Sequence, residues 1–460
     1  MQFKQFYLGC LAHASYYLGS AGEAAIIDPQ RDVQQYIDEA EANGQKIKYV
    51  IETHSHADFV SGHIELAEKT GAEIIYGKRA NTTFPTLKVK DGDELTVGKI
   101  NLQILETPGH TPEGITIMAK DMEGPDAPPK IFTGDTLFIG DVGRPDLIGS
   151  VGFTAEEMGG MLYDSLREKI LPLPDETEVY PAHGAGSLCG KSLSKETWST
   201  LGEQRKTNYA LQPMRKEEFV KIVAADQPEA PAYFAASAAQ NLKGSTSLEN
   251  LPKPVALTTP EIENFDGIVL DVRLGPEFGA AHVPNAINIG LGGQFATWAG
   301  TLISTSAAVA IVADTQEQID EAFIRLARVG IETVQGFILM KDFSGKTNTV
   351  GHVSVEQARE ATVKDGVQFV DVRNPTEHAG GHAVNTINLP LNALSREIDR
   401  LNPEKPTYVL CQSGYRSSLG TSILENAGFR EIYNVTGGTK AWTDEGFDME
   451  VSAGAACANS

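Results

Sequence analysis

The sequence predicts a multidomain α/β protein, and three observations carry that expectation. At 460 residues the chain is too long for a single hydrophobic core, so roughly three domains of ordinary size are expected. Short β-rich runs alternate with helical patterns through the N-terminal half. The C-terminal half contains an internal repeat in which each copy runs from a strand through a turn into further strands and helices, the pattern of a small doubly wound sheet.

Taken in order, MQFKQFYLGCLAHASYYLGS lacks the basic segment and uninterrupted apolar run of a secretory signal, and reads as a first strand. EAAIID, IKYVIET, AEIIYG, KINLQILET, KIFTGDTLF and EVYPAHG follow as strands bounded by turn residues. SGHIELAEKTG has helical spacing, with Ser61 as N-cap and Gly71 as the terminating residue. GSTSLENLPKPVALTT, from Gly244, is rich in Ser and Pro and has no apolar periodicity, as a linker would. These signals divide the chain into a first domain over 1–243, a linker over 244–254, repeat copies over 255–347 and 352–452, and a small-residue tail over 453–460 expected to be disordered.

The two copies are VLDVRLGPEFGAAHVPNAINI, from Val269, and FVDVRNPTEHAGGHAVNTINL, from Phe369. Asp271 matches Asp371, Arg273 matches Arg373, Glu277 matches Glu377, His282 matches His382 and Asn288 matches Asn388. Because the His and Arg pairs recur in both copies, packing and salt-bridge roles are expected for them.

Net charge of −23 argues against nucleic acid or anionic membrane as a partner, since phosphate-binding surfaces need clustered Lys and Arg. No apolar run approaches the about 18 residues that span a bilayer. Small substrates are expected instead. The cysteines Cys10, Cys189, Cys411 and Cys457 are scattered, which indicates neither a disulfide framework nor a zinc-thiolate site and fits a reducing cytoplasm. Cys457 reads as an incidental thiol of the tail.

The chemistry concentrates in two places. THSHADF follows a strand and puts His54, His56 and Asp58 on alternate residues, so that they can face one side. TPGH, TGD and YPAH then bring His110, Asp135 and His183 after three further strands. Imidazoles and carboxylates delivered to one rim of a sheet point to a metal.

This pattern, H-x-H-x-D followed by TPGH, GD and a late His, resembles the metallo-β-lactamase superfamily over residues 1–243. The resemblance implies an αββα sandwich. Two-zinc hydrolases of that family carry a His directly after the Asp, where this chain has Phe59, and a phenyl ring cannot coordinate zinc. A single metal is therefore expected. Among family members the persulfide dioxygenases look like this, and their pattern implies one Fe(II) per chain held by His54, His110 and Asp135. His56, Asp58 and His183 would orient ligands and waters around it. By the same resemblance Arg144, in GDVGRPDL, and Cys189, in GAGSLCGK, are candidates for binding a thiol substrate.

TYVLCQSGYRSSLG places Cys411 at the end of an apolar strand, before a turn and a helical pattern. Amides of such a turn, with a helix N-terminus beyond, form an anion cradle that stabilises a thiolate or persulfide. The stretch resembles a rhodanese active loop, in which Cys411 would carry sulfur, Gln412, Ser413, Gly414 and Tyr415 would line the cradle, and Arg416 would fix the loop or bind thiosulfate. Related phosphatases have a loop one residue longer, so the smaller ring favours sulfur. Aligning LARVGI with LENAGF puts Ala313 at the nucleophile position and Gln318 where Arg416 stands, so the first copy is expected to be an inactive rhodanese-like domain with a docking role.

The leading expectation is a persulfide dioxygenase fused to a rhodanese, using low-molecular-weight persulfide, dioxygen, and thiosulfate or sulfite. The alternative is a zinc thioesterase of the glyoxalase II type fused to a sulfurtransferase. A third reading, from another class, is a persulfide carrier or sensor. The thiol carrier, the direction of sulfur flow and whether the chain forms a homo-oligomer stay open.

Overall fold

Along the strand His13–Ser20 successive side chains serve two cores: Tyr16 and Leu18 enter one apolar cluster and Tyr17 another, so the strand is covered on both faces. The computed structural model describes residues 1–147, 152–191, 193–225, 227 and 229–451. The tail over 453–460, with Cys457, and the last residue of the 352–452 segment lie outside the described residues. The chain divides into two compact units, the first Met1–Leu251 with Leu326–Gly330, the second Pro252–Arg325 with the chain from Ile331. The division near Leu251 falls within the 244–254 stretch, and both repeat copies lie in the second unit.

The first unit holds two six-stranded sheets. One runs in chain order from β1 (Gln2–Leu8) and β2 (His13–Ser20) through β3 (Glu23–Ile27), β4 (Lys46–Ile51) and β5 (Glu73–Gly77) to β6 (Leu87–Val89). The other comprises β7 (Glu94–Val97), β8 (Ile100–Glu106), β9 (Ile115–Asp121), β10 (Lys130–Gly134), β11 (Glu178–Pro181) and β12 (Ser199–Thr200), again neighbours in order. Between them Tyr16, Leu18, Ile27 and Ile51 meet Leu102, Ile104, Ile117 and Phe132. On the outer face of the first sheet Tyr17, Ile26 and Val50 pack with Tyr36 and Leu66, which lie on the helices Gln34–Ala42 and His63–Thr70. On the outer face of the second, Ile131 and Val179 pack with Leu162 and Phe219, from the helices Ala155–Ser165 and Lys216–Ala224. The layers are helix, sheet, sheet, helix, and each fully buried large apolar side chain contributes about 1.5–3 kcal/mol.

One helix start differs from the sequence expectation. The helix begins at His63 with Gly62 in the N-cap position and no side-chain cap. The Ser61 hydroxyl is turned to the buried Glu52 carboxylate and the Pro29 carbonyl, and its oxygen accepts from the His63 amide at 3.3 Å, one residue ahead of the N-cap position. Gly71 does terminate it, at φ 72°.

The second unit holds two parallel five-stranded sheets with the same connectivity. In the first module β13 (Val255–Ala256), β14 (Ile268–Asp271), β15 (Ile287–Asn288), β16 (Val309–Ala313) and β17 (Val334–Leu339) are ordered β13-β17-β16-β14-β15. In the second, β18 (Gly351–Val353), β19 (Gln368–Asp371), β21 (Ile387–Asn388), β22 (Thr407–Leu410) and β23 (Ile432–Val435) are ordered β18-β23-β22-β19-β21, while β20 (His382–Ala383) pairs separately with β24 (Met449–Glu450). The order reverses beside β14 and β19, which opens a crevice beyond the carboxyl ends of the neighbouring strands. Register makes the equivalence exact to the residue: Asp271 lies opposite Val312, and Asp371 opposite Leu410, so Ala313 and Cys411 occupy the same place. Among the described residues no helix is long and apolar enough to cross a membrane.

Candidate metal centre and cysteine loop

The loop after β4 carries His54, and Asp28 at the end of β3 shapes it. The Asp28 carboxylate accepts from the Thr53 amide at 2.7 Å and from the Thr53 hydroxyl at 2.9 Å. With its proton committed there, the Thr53 oxygen accepts from His54 Nδ1 at 2.9 Å, which leaves Nε2 as the bare nitrogen. His110 is fixed in the same sense, Nδ1 donating to the Arg144 carbonyl at 2.8 Å. Both Nε2 atoms face Asp135 Oδ2, at 3.8 Å from His54 and 3.4 Å from His110. All three side chains are buried.

Among the described residues, His54 Nε2 and both Asp135 carboxylate oxygens have no hydrogen-bond partner. Stranding such groups in the interior is costly, and a cation bound among them removes the cost. Burial, then the neighbouring His56 and His110, push His54 well below its ordinary pKa, so its ring is a neutral ligand. The residues present therefore fit a metal held by two imidazoles and one carboxylate. Gly134, at the end of β10, allows this approach: at φ 51°, a Cβ there would lie 2.5 Å from Thr53 Oγ1.

His56, Asp58 and His183 stand around this trio. His56 Nε2 turns to Asp28 Oδ1 at 3.2 Å and Glu52 Oε2 at 3.4 Å. Burial alone would push His56 down, but Asp28 and Glu52 outweigh it and hold the imidazole up to about 9. His183 Nε2 lies between Asp58 Oδ2 at 3.5 Å and Asp135 Oδ1 at 3.6 Å. Burial opposes ionisation of Asp58, yet His183 brings its pKa down to about 2. Phe59 is buried with its ring centroid 4.1 Å from that of His13 and 4.5 Å from that of His56, so an apolar ring fills the space beside them.

The two thiol-binding candidates differ. The Arg144 guanidinium is buried and forks onto Asp146 at 2.7 Å and 2.7 Å, while its backbone carbonyl orients His110. Cys189 reaches the rim, its sulfur grouped with Asp135 and His183 donors within 4.8 Å of one another. Burial, then Asp58 and Asp135, push the Cys189 thiol up to about 12, so it stands there protonated.

Sequence reasoning missed Asp28, Glu52 and Asn241. Asn241, buried in the helix Tyr233–Lys243, donates to the carbonyls of His56 and Phe59 at 2.8 Å each and accepts from the Ser61 amide at 2.8 Å. It clamps the loop that carries the candidate ligands. Only the unusual apolar-then-acidic ending of EAAIID pointed to Asp28, and nothing local marks Asn241.

At the end of β22 the Cys411 sulfur accepts from the Gly414 amide at 3.1 Å, and the Ser417 hydroxyl, which donates to Asn434 Oδ1 at 2.7 Å, sits 3.4 Å away. The helix Tyr415–Asn426 starts directly after, with its N-terminus beside the sulfur. Thr439 closes the strand end by donating its amide to the Cys411 carbonyl at 2.7 Å. Arg416 forks onto Glu377 at 2.7 Å and 2.7 Å, a partner the sequence reading did not name. Gln412 Oε1 accepts from Arg373 at 3.5 Å, Gln412 and Ser413 are exposed, and Tyr415 turns toward the first module. In the first module the equivalent loop carries Ala313, and Gln318 Oε1 accepts from the amides of Asp314 at 2.8 Å and Thr315 at 3.3 Å. The DVR arginines hold their own aspartates in both modules, Arg273 to Asp271 at 2.6 Å and Arg373 to Asp371 at 2.7 Å.

Two stacked sheets flanked by helices, with buried imidazoles and carboxylates converging at one rim, define a metal-binding αββα domain, followed here by a parallel-sheet module that presents a cysteine at its switch point. The metallo-beta-lactamase superfamily matches residues 8–183, and a rhodanese-like domain matches residues 354–445. The chain is 33% identical to the human persulfide dioxygenase ETHE1, mitochondrial, over 45% of this chain and 75% of that protein. It is 36% identical to the cytoplasmic hydroxyacylglutathione hydrolase of Arabidopsis thaliana, over 39% and 67% respectively. A solved metallo-beta-lactamase from Staphylococcus aureus subsp. aureus COL is 34% identical with a TM-score of 0.68, covering 74% of this chain and 99% of that one. The chain belongs to the metallo-beta-lactamase superfamily and carries a C-terminal rhodanese-like domain.

Proposed function

We propose that the protein is a bifunctional sulfur enzyme: an Fe(II) persulfide dioxygenase joined to a thiosulfate sulfurtransferase, serving sulfide detoxification in the cytoplasm. The first activity converts R-S-SH, dioxygen and water to R-SH and sulfite. In the second, the Cys411 thiolate takes the outer sulfur of a persulfide, releasing R-SH, and passes it to sulfite as thiosulfate, or runs in reverse. One iron per chain, held by His54, His110 and Asp135, would supply the redox chemistry. The residues around it do the rest: Thr53 and the Arg144 carbonyl fix the imidazole tautomers, Asn241 clamps the loop, and Phe59 keeps water from the space beside His56. The first repeat module is read as an inactive rhodanese-like domain, since without a thiol at Ala313 it cannot carry sulfur.

The observation that carries the dioxygenase reading is Phe59, packed against His13 and His56, at the position where the family resemblance implies a second metal's ligand. Likeness to hydroxyacylglutathione hydrolases favours a second reading, a two-zinc thioesterase. Metal analysis of anaerobically purified protein, with an oxygen electrode and glutathione persulfide, separates them. About one iron per chain and oxygen uptake matched to sulfite are expected. Two zincs with hydrolysis of an acyl-glutathione would overturn the proposal.

A further inference from the structure

The helix that follows Cys411 is unusual for a buried element. Its inward face is small and polar, with Ser418, Thr421 and Ser422 all buried, and it is met by the first module of the same unit. Ser418 Oγ donates to Asn288 Oδ1 at 2.7 Å, the Asn288 amide donates to Ser422 Oγ at 3.1 Å, and His282 Nε2 pairs with Glu425 at 2.8 Å. These bonds follow one face of the helix at spacings of three and four residues. At its start, the Tyr415 hydroxyl donates to the Gly290 carbonyl at 2.8 Å. The Tyr415 ring lies against Gly293, where a Cβ would come within 2.6 Å of it. The strip receiving the ring is itself braced: Arg325, buried in the first module, donates to the Leu291 carbonyl at 2.7 Å and the Gly293 carbonyl at 3.0 Å. The socket's carbonyls are thus tied to a guanidinium by bonds that do not involve the tyrosine.

We propose that Tyr415 is a positioning residue and that the first module, which has no sulfur nucleophile of its own, supplies its socket in Gly290–Gly293. Tyr415 follows Gly414, whose amide donates to the Cys411 sulfur, and precedes Arg416 and Ser417 in the first turn. Holding the ring therefore holds the donors that face the sulfur as negative charge moves on and off it, and preorganised donors act most strongly on such a charge. Tyr415 thus belongs to the anchorage of the loop, and the strip Gly290–Gly293 is part of the machinery of the other module's reaction.

This inference rests on the sulfur-transfer reading of Cys411, and the test separates the two. In the full-length protein, Gly293→Ala pushes the ring out of its socket from the module that lacks the cysteine, and Tyr415→Phe removes only the bond to Gly290 while keeping the shape. Two readouts are taken: steady-state transfer from thiosulfate to cyanide, and the rate at which iodoacetamide labels Cys411, followed by peptide mass spectrometry. The expected result is a fall in kcat of about tenfold for Gly293→Ala and about threefold for Tyr415→Phe, with KM for thiosulfate within about twofold and slower Cys411 labelling in both. If Gly293→Ala fails to fold, Tyr415→Phe carries the test. Unchanged kcat and labelling in the folded variants would overturn the proposal, as would a raised KM at unchanged kcat, which would make the strip a wall of the thiosulfate pocket. A wild-type protein that turns over no thiosulfate, with labelling still slowed in the variants, would sink the sulfur-transfer reading and leave the socket standing.

Discussion

The loops after β16 and β22 leave equivalent strands at equivalent positions, and the surrounding frame is the same in both. Asp271 and Asp371 each grip the arginine two residues on, and each arginine also donates to a backbone carbonyl, of Ala281 in one module and Gly381 in the other. Inside the loops the likeness ends. One holds a sulfur facing a backbone amide, and the other holds a methyl group while a glutamine side chain takes two loop amides for itself. The frame is common to both modules and the sulfur cradle is confined to one, so the two can be separated in one chain. A further contrast lies in Arg416, which forks onto Glu377, whereas Gln318 stands at that position in the first module.

The strongest test of the contrast is Cys411→Ala, expected to reduce thiosulfate-to-cyanide transfer by about 10³-fold or more, while persulfide-dependent oxygen uptake persists. Residual multiple turnover at a tenth of the wild-type rate would mean that the sulfur is carried elsewhere. Next come Asp271→Ala and Asp371→Ala, each stranding a buried guanidinium; each is expected to cost about 3–5 kcal/mol in urea unfolding. Nearly equal losses would confirm a shared frame, and a loss in one module alone would break the equivalence. Glu377→Gln comes third: it removes the counter-charge of Arg416 and should shift KM for thiosulfate by about threefold to tenfold, whereas Glu277→Gln should leave it unchanged. The smallest effect is expected from Ala313→Cys, which should add less than about twofold to transfer in the Cys411→Ala background, because the Gln318 side chain occupies the loop amides. Substantial recovery would show that a thiol alone completes the site.

The same contrast explains what could be read from the sequence. The cysteine loop is contiguous, so a candidate site could be read from one stretch, and the strand register aligns Ala313 with Cys411 as the repeat had indicated. The candidate metal rim is assembled from separate segments, yet His54, His110 and Asp135 could be proposed from the sequence because each follows a strand in a short motif, and the structure brings them together. What supports them was not legible. Asn241 reaches back from a helix far along the chain, and Glu52 gathers Ser61 and His63 from an apolar strand end that reads as ordinary core. The shifted helix start at His63 is not legible for the same reason, since the bond that turns the Ser61 hydroxyl to the buried Glu52 carboxylate exists only once the chain has folded. Tyr415 shows the limit of reading a loop as a unit: its ring is seated on the neighbouring module, which no local spacing could indicate.

Gly134 carries a consequence for protein engineering. Its missing side chain lets β10 come up against Thr53 and His54, so the floor of the metal rim at that point is bare backbone. A combinatorial library meant to redirect this centre finds no diversity at residue 134, because any Cβ would strike the hydroxyl that sets the His54 tautomer. New specificity has to be recruited from the surrounding loops, and the floor passes unchanged from parent to variant.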